Sequence, residues 1–114
     1  MWPYSSPLRP PRKKLHVSVR YRAEGDGHWH VGETENISRT GLLFRADAPL
    51  PLEGAVEIVL VLPGRLIDTT TAELVCAGTV KRLINVREIE GQRAVGVEFR
   101  SIAGETLEAL LSRI

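Results

Sequence analysis

Six consecutive residues, Asn36-Ile37-Ser38-Arg39-Thr40-Gly41, gather side chains suited to holding an anion. Asn36 and Ser38 can hydrogen-bond to nearby backbone and fix a turn. Gly41 tolerates φ > 0 or a close approach of another backbone. Arg39 adds a cation, and free amides beside a positive charge suit a phosphate. The same residues also suit a plain loop, in which Asn36 and Ser38 only shape the chain. Asn36-Ile37-Ser38 matches the N-glycosylation acceptor pattern too, but residues 1–11 are proline-rich with no apolar run of the signal-peptide kind, so a secreted setting is not expected.

A second set of cations lies upstream. Arg9, Arg12, Lys13, Lys14 and Arg20 all precede the first acid, Glu24, although the net charge of the whole chain is only +1. A basic lead-in on a near-neutral body points to an anionic partner, or to a solvated tail that aids solubility.

Other constellations carry less. His28 and His30, near Glu33, share a strand face with Trp29 on the other, but two ligands do not close a zinc site. Trp29 reads as a core anchor. Cys76, the one cysteine, sits in the apolar run Leu74-Val75-Cys76-Ala77 and reads as a buried structural thiol. Glu88 and Glu90 read as a solvated turn, not an acid–base pair. No nucleophile motif appears, so the expectation is a binding module and not an enzyme. Aromatic residues make up 5% of the chain and are scattered, which argues against a stacking platform for nucleic-acid polymer.

The elements that must position these residues follow from periodicity. The 114 residues, 43% hydrophobic and 25% charged, fit one globular domain. Residues 1–11 carry Pro3, Pro7, Pro10 and Pro11 and read as an extended basic arm. Val17, Val19 and Tyr21 alternate with polar residues as a half-buried strand. Glu24-Gly25-Asp26-Gly27 turns the chain into a second strand, His28 to Glu35. Further strands are expected from Leu42, over Val56–Leu62, within Leu66–Arg82 with a break near Gly78, and over Gln92–Phe99. Short strands at this spacing predict an all-β barrel or sandwich over residues 12–103. From Gly104, the spacing of Leu107, Leu110, Leu111 and Ile114 predicts a helix over 104–114, its stripe laid on the barrel or on another chain as a homodimer contact. No run is long and apolar enough to span a bilayer, and a reducing, cytoplasmic setting is the default expectation.

Asn36-x-Ser38-x-x-Gly41 resembles the [Asp/Asn]-x-Ser-x-x-Gly motif of PilZ domains. The context is similar as well: Gly41-Leu42-Leu43-Phe44, a proline-bearing loop, Gly54, an apolar strand ending at Pro63, and Ala94-Val95-Gly96-Val97-Glu98-Phe99 as a final strand. The resemblance covers about residues 9–103. It implies a six-stranded antiparallel barrel with a short C-terminal helix, and cyclic di-GMP as ligand with no other cofactor. It also implies a downstream protein partner that the sequence does not name.

The family's companion motif, Arg-x-x-x-Arg, falls on Arg12-Lys13-Lys14-Leu15-His16, where Arg12 fits and His16 replaces the second arginine. Arg9 to Lys13 repeats the spacing and again lacks the second arginine. The implied ligand set is Arg12, with Arg9 and Lys13 from the arm, Asn36, Ser38, Arg39 and Gly41 from the turn, and His16 in the altered position. A guanidinium is always charged and forks onto phosphate or guanine, whereas histidine is mostly neutral at pH 7. Loss of one such contact is worth about 1–3 kcal/mol. A PilZ-like adaptor that binds protein and no nucleotide is the alternative this departure leaves.

Overall fold

The computed structural model describes residues 11–64, 72–85 and 91–114. Its strands are β1 (Lys13–Lys14), β2 (Ser18–Ala23), β3 (His30–Ile37), β4 (Gly41–Ala46), β5 (Ala55–Leu62), β6 (Ala72–Asn85) and β7 (Arg93–Ile102), followed by helix α1 (Gly104–Leu111). All pairings are antiparallel, and the circuit β3-β2-β5-β6-β7-β4 closes because β4 also pairs with β3. Six strands thus form a barrel with no free edge between them, and β1 adds a two-residue strip along β3.

Period-two patterning fills the interior. Val19 and Tyr21 from β2, Ile58 and Leu60 from β5, Leu74 and Cys76 from β6, and Val95 and Val97 from β7 are all buried. Tyr21 stacks 5.1 Å from Phe44, and its hydroxyl accepts a hydrogen bond from the Ala48 amide at 3.1 Å. Burial pushes the Cys76 thiol up to about 12, which leaves it protonated and inert at neutral pH. Leu107, Leu110 and Leu111 of α1 join the same core. The apolar stripe of the helix, which a homodimer contact would need, is therefore covered by the chain's own barrel.

Two expectations change. The expected break near Gly78 is absent: β6 runs unbroken through it, with register shifts at Ala77/Gly78 and at Val80/Arg82. A Cβ at residue 78 would lie 2.5 Å from the Glu98 carbonyl oxygen, so the glycine serves close packing of β7. Trp29 is no core anchor. It is 41% exposed, and the Arg22 guanidinium sits 4.3 Å from its ring centroid. The cause is local: Asp26 Oδ1 accepts the His28 amide at 3.1 Å, so the chain is still turning there and β3 begins only at His30. Tyr21 takes the anchoring role. Glu88, Glu90 and most of the 1–11 arm lie outside the described residues, as does the start of the Leu66–Arg82 segment. No described helix is long and apolar enough to cross a membrane.

One buried hydroxyl ties the lead-in to the barrel. Thr34, 0% exposed, accepts the Val17 amide at 2.9 Å and donates to the Leu15 carbonyl at 2.5 Å. Leu15 N also donates to Glu35 O at 3.1 Å. Thr34→Val keeps the shape and strands both buried backbone groups. It is expected to cost about 1–3 kcal/mol in urea unfolding at unchanged m-value.

Candidate functional site

The turn between β3 and β4 is built by its serine. Ser38 N donates to Gly41 O at 2.9 Å, and Ser38 Oγ accepts the amides of Thr40 and Gly41, each at 3.2 Å. Ser38 is 2% exposed, so its side chain organises the bend from within. Gly41 has no positive φ; its requirement is room. A Cβ there would lie 2.4 Å from the Val97 carbonyl oxygen and 3.6 Å from Arg12 Nη2. The first contact fixes β4 against β7, and the second places Arg12 above the glycine.

Arg12 reaches this point from the lead-in. Lys14 of β1 pairs with Asn36 of β3, and Arg12 Nη1 donates to Asn36 Oδ1 at 2.7 Å. The arm motif and the turn motif, 24 residues apart, thus meet through one hydrogen bond. Beside them lies an open groove of about 400 Å³, lined by Arg12, Ser38, Thr40, Gly41, Lys81, Arg82, Gly96, Val97 and Glu98. That volume falls in the range of small-molecule sites. Three cations face one carboxylate, giving the groove a positive balance that the whole chain lacks. A hydrogen bond from Lys81 to Glu53, 3.0 Å long, and a weaker pull from Glu98 raise the ammonium's pKa above its ordinary value.

The other predicted site residues go elsewhere. Lys13, next to Arg12 and on the opposite side of the strip, donates from Nζ to the carbonyls of Leu111 at 2.9 Å and Ile114 at 3.1 Å. It caps the end of α1, a helix with no basic residue in its own last turn. Arg39 also turns to α1 and pairs with Glu108 at 2.9 Å. His16 is exposed, with Nδ1 3.3 Å from Thr34 O, and borders a separate shallow cleft with Val17, Ser18, Val61 and Pro63. It does not line the Arg12 groove. Arg9 lies outside the described residues. No group of His, Cys, Asp or Glu among the described residues has the arrangement to hold a metal ion.

Lys81 and Arg82 were not expected in the groove. Their one signal in the sequence is a dibasic pair inside an apolar strand, where alternation turns only one of two neighbours outward. The register shift changes this: Val80 pairs with Val97 and Arg82 with Gly96, so Lys81 is the extra residue of a bulge and both cations are exposed.

The serine's role gives a test that needs no ligand. Ser38→Ala is expected to lower stability by about 1–2 kcal/mol in urea, because the buried Gly41 amide loses its acceptor. Arg39→Ala, an exposed pair, is expected to cost no more than about 1 kcal/mol.

Comparison with known proteins fits this geometry. The PilZ domain family matches residues 9–114. The structure of the Bacillus subtilis inhibitor of motility, MotI/DgrA, superposes with a TM-score of 0.73 at 17% identity, covering 95% of this chain and 50% of that one. MrkH of K. pneumonia, in a complex with c-di-GMP, gives 0.71 at 19% identity, covering 95% and 51%. The PilZ domain of CeSA, from a cellulose-synthesizing bacterium, gives 0.58 at 17% identity, covering 89% and 91%. The chain thus spans about half the length of MotI and MrkH. No curated protein matches it by sequence. The matched family, the closed six-stranded barrel and the Asn36–Gly41 turn agree: this chain belongs to the PilZ domain family.

Proposed function

We propose that the chain is a cyclic di-GMP receptor domain that acts in bacterial second-messenger signalling and transforms nothing chemically. The observation that carries this reading is the Arg12–Asn36 hydrogen bond at the mouth of a cationic groove floored by Gly41. The ligand has two phosphates and two guanines. Arg12 forks onto a phosphate oxygen or a guanine edge, and stacks on a base. Asn36, freed from Arg12 or sharing it, offers an amide at the rim. Ser38 acts through the bend it holds, and Gly41 lets the ligand approach the backbone.

The output follows from the two faces of the lead-in. Arg12 meets the ligand while its neighbour Lys13 holds the carbonyls of Leu111 and Ile114. Movement of Arg12 onto a nucleotide is therefore felt at the end of α1, altering the surface offered to a downstream protein. Family membership, and the c-di-GMP complex of MrkH, support the choice of ligand.

Calorimetry with cyclic di-GMP tests the reading. Micromolar binding is expected, lost in Arg12→Ala and weakened several-fold between 50 and about 300 mM salt by screening. A silent titration at high ligand concentration leaves the adaptor reading in its place. With ligand bound, amide exchange near the end of α1 is expected to change, and Lys13→Met is expected to remove that change while leaving affinity within a few-fold. An α1 blind to ligand in the unaltered protein excludes the coupling.

A further inference from the structure

We propose that Arg82 of β6, and not His16, supplies the second guanidinium of the nucleotide site. The inference rests on the receptor reading and concerns how this chain does without its missing motif arginine.

Placement comes first. His16 borders a different cleft, so the position where the motif expects its second arginine does not reach the groove. Arg82 lines the groove together with Arg12. The two come from opposite flanks: Arg12 lies over Gly41 of β4, Arg82 over Gly96 of β7 from its place on β6, and β7 separates β4 from β6 in the sheet. Gly41 pairs with Glu98 and Gly96 with Leu43, so the two glycines are diagonal neighbours about 7–8 Å apart on adjacent strands, and the two guanidiniums border one opening.

The backbone is also shaped for it. On regular strand, alternation from inward-facing Val80 would turn Lys81 outward and send Arg82 into the core. The bulge reverses that parity and lays Arg82 over Gly96, while Leu83 packs against the core. A Cβ at residue 96 would come within 3.3 Å of the Arg82 Cβ and 3.5 Å of its Nε, so the glycine forms a slot for this stem. Gly96 is buried under it although neighbouring Val95 and Val97 are the residues that face the core.

Charge bookkeeping agrees. Arg20, Arg22, Arg39 and Arg45 are each paired with a glutamate, and Lys81 is held by Glu53. Arg82 has neither an ion pair nor a hydrogen bond among the described residues, so its planar fork is available to an anion or a guanine edge.

The test compares variants of the full chain by calorimetry with cyclic di-GMP. Arg82→Ala is expected to weaken binding ten- to a hundredfold. Arg82→Lys, which restores charge without the fork, is expected to fall between the two. His16→Ala and Arg100→Ala, the latter an exposed arginine outside this groove, are expected to stay within about threefold. All substitutions lie on exposed side chains, and unchanged urea midpoints verify folding. Binding by the unaltered protein that Arg12→Ala abolishes and Arg82→Ala leaves intact overturns this inference alone. No binding by the unaltered protein overturns it together with the receptor reading. A loss in His16→Ala equal to that in Arg82→Ala overturns the assignment as well.

Discussion

Strand β3 has to serve three partners, and the rest of the molecule is arranged around that demand. Its first half pairs with β2, its second half from Glu33 pairs with β4 to close the barrel, and its last residues also accept β1. A strand has only two edges. β3 meets the demand by handing one edge from β2 to β1; Leu15 and Val17 each keep one backbone bond to β3, and the hand-over leaves the Leu15 carbonyl and the Val17 amide for another partner. Thr34 fills that gap with a hydroxyl that both accepts and donates. On the other edge a register shift between Thr34 and Asn36 bends β3 toward β4. The bend sets the height at which Asn36 meets Arg12. Closure of the barrel and construction of the site are thus consequences of one strand's geometry.

Arg12, just before the short strip β1, and Lys13, its first residue, are divided by parity. Adjacent residues point to opposite sides, so Arg12 serves the groove while Lys13 serves α1. Neither tie is strong in isolation, since exposed or half-exposed polar contacts are each worth about 1 kcal/mol or less. Weak ties suit a switch, which must shift between arrangements separated by a few kcal/mol. The helix is different. Its three leucines are spent in the barrel core, so what can move is its last turn and not its docking.

Much of this was legible in the residues. Alternation located the strands, the helical stripe located α1, and the Asn36–Gly41 spacing located the turn. Three features were not. Trp29 looked like a core residue because hydrophobicity does not register that Asp26 prolongs a turn to His28. Gly78 looked like a strand break because a glycine needed for close packing reads the same as one needed for a bend. Lys81-Arg82 did not stand out because a bulge has no periodicity of its own, and its single extra residue changes which side every later residue faces. His16 borders a cleft apart from the Arg12 groove. A four-residue motif spacing implies a shared direction only on regular backbone, and in the Leu15–Val17 segment a side chain takes over part of the strand pairing.

Net charge explains little about the groove, and missing side chains explain more. The chain is close to neutral, so long-range attraction for an anion is slight and is screened within about 8 Å at physiological salt. What distinguishes the groove from other basic patches is its floor. Gly41 lets β4 lie against the Val97 carbonyl with an Arg12 nitrogen above it, and Gly96 lets the Arg82 stem lie over β7. A side chain at residue 96 would press on the Arg82 stem, and one at residue 41 would collide with the Val97 carbonyl and part β4 from β7 beneath Arg12, leaving the same charge without the same geometry. Directional hydrogen bonds depend on geometry far more steeply than Coulomb attraction does. The arrangement of small residues beneath the arginines therefore does more to make this a site than the number of arginines above them.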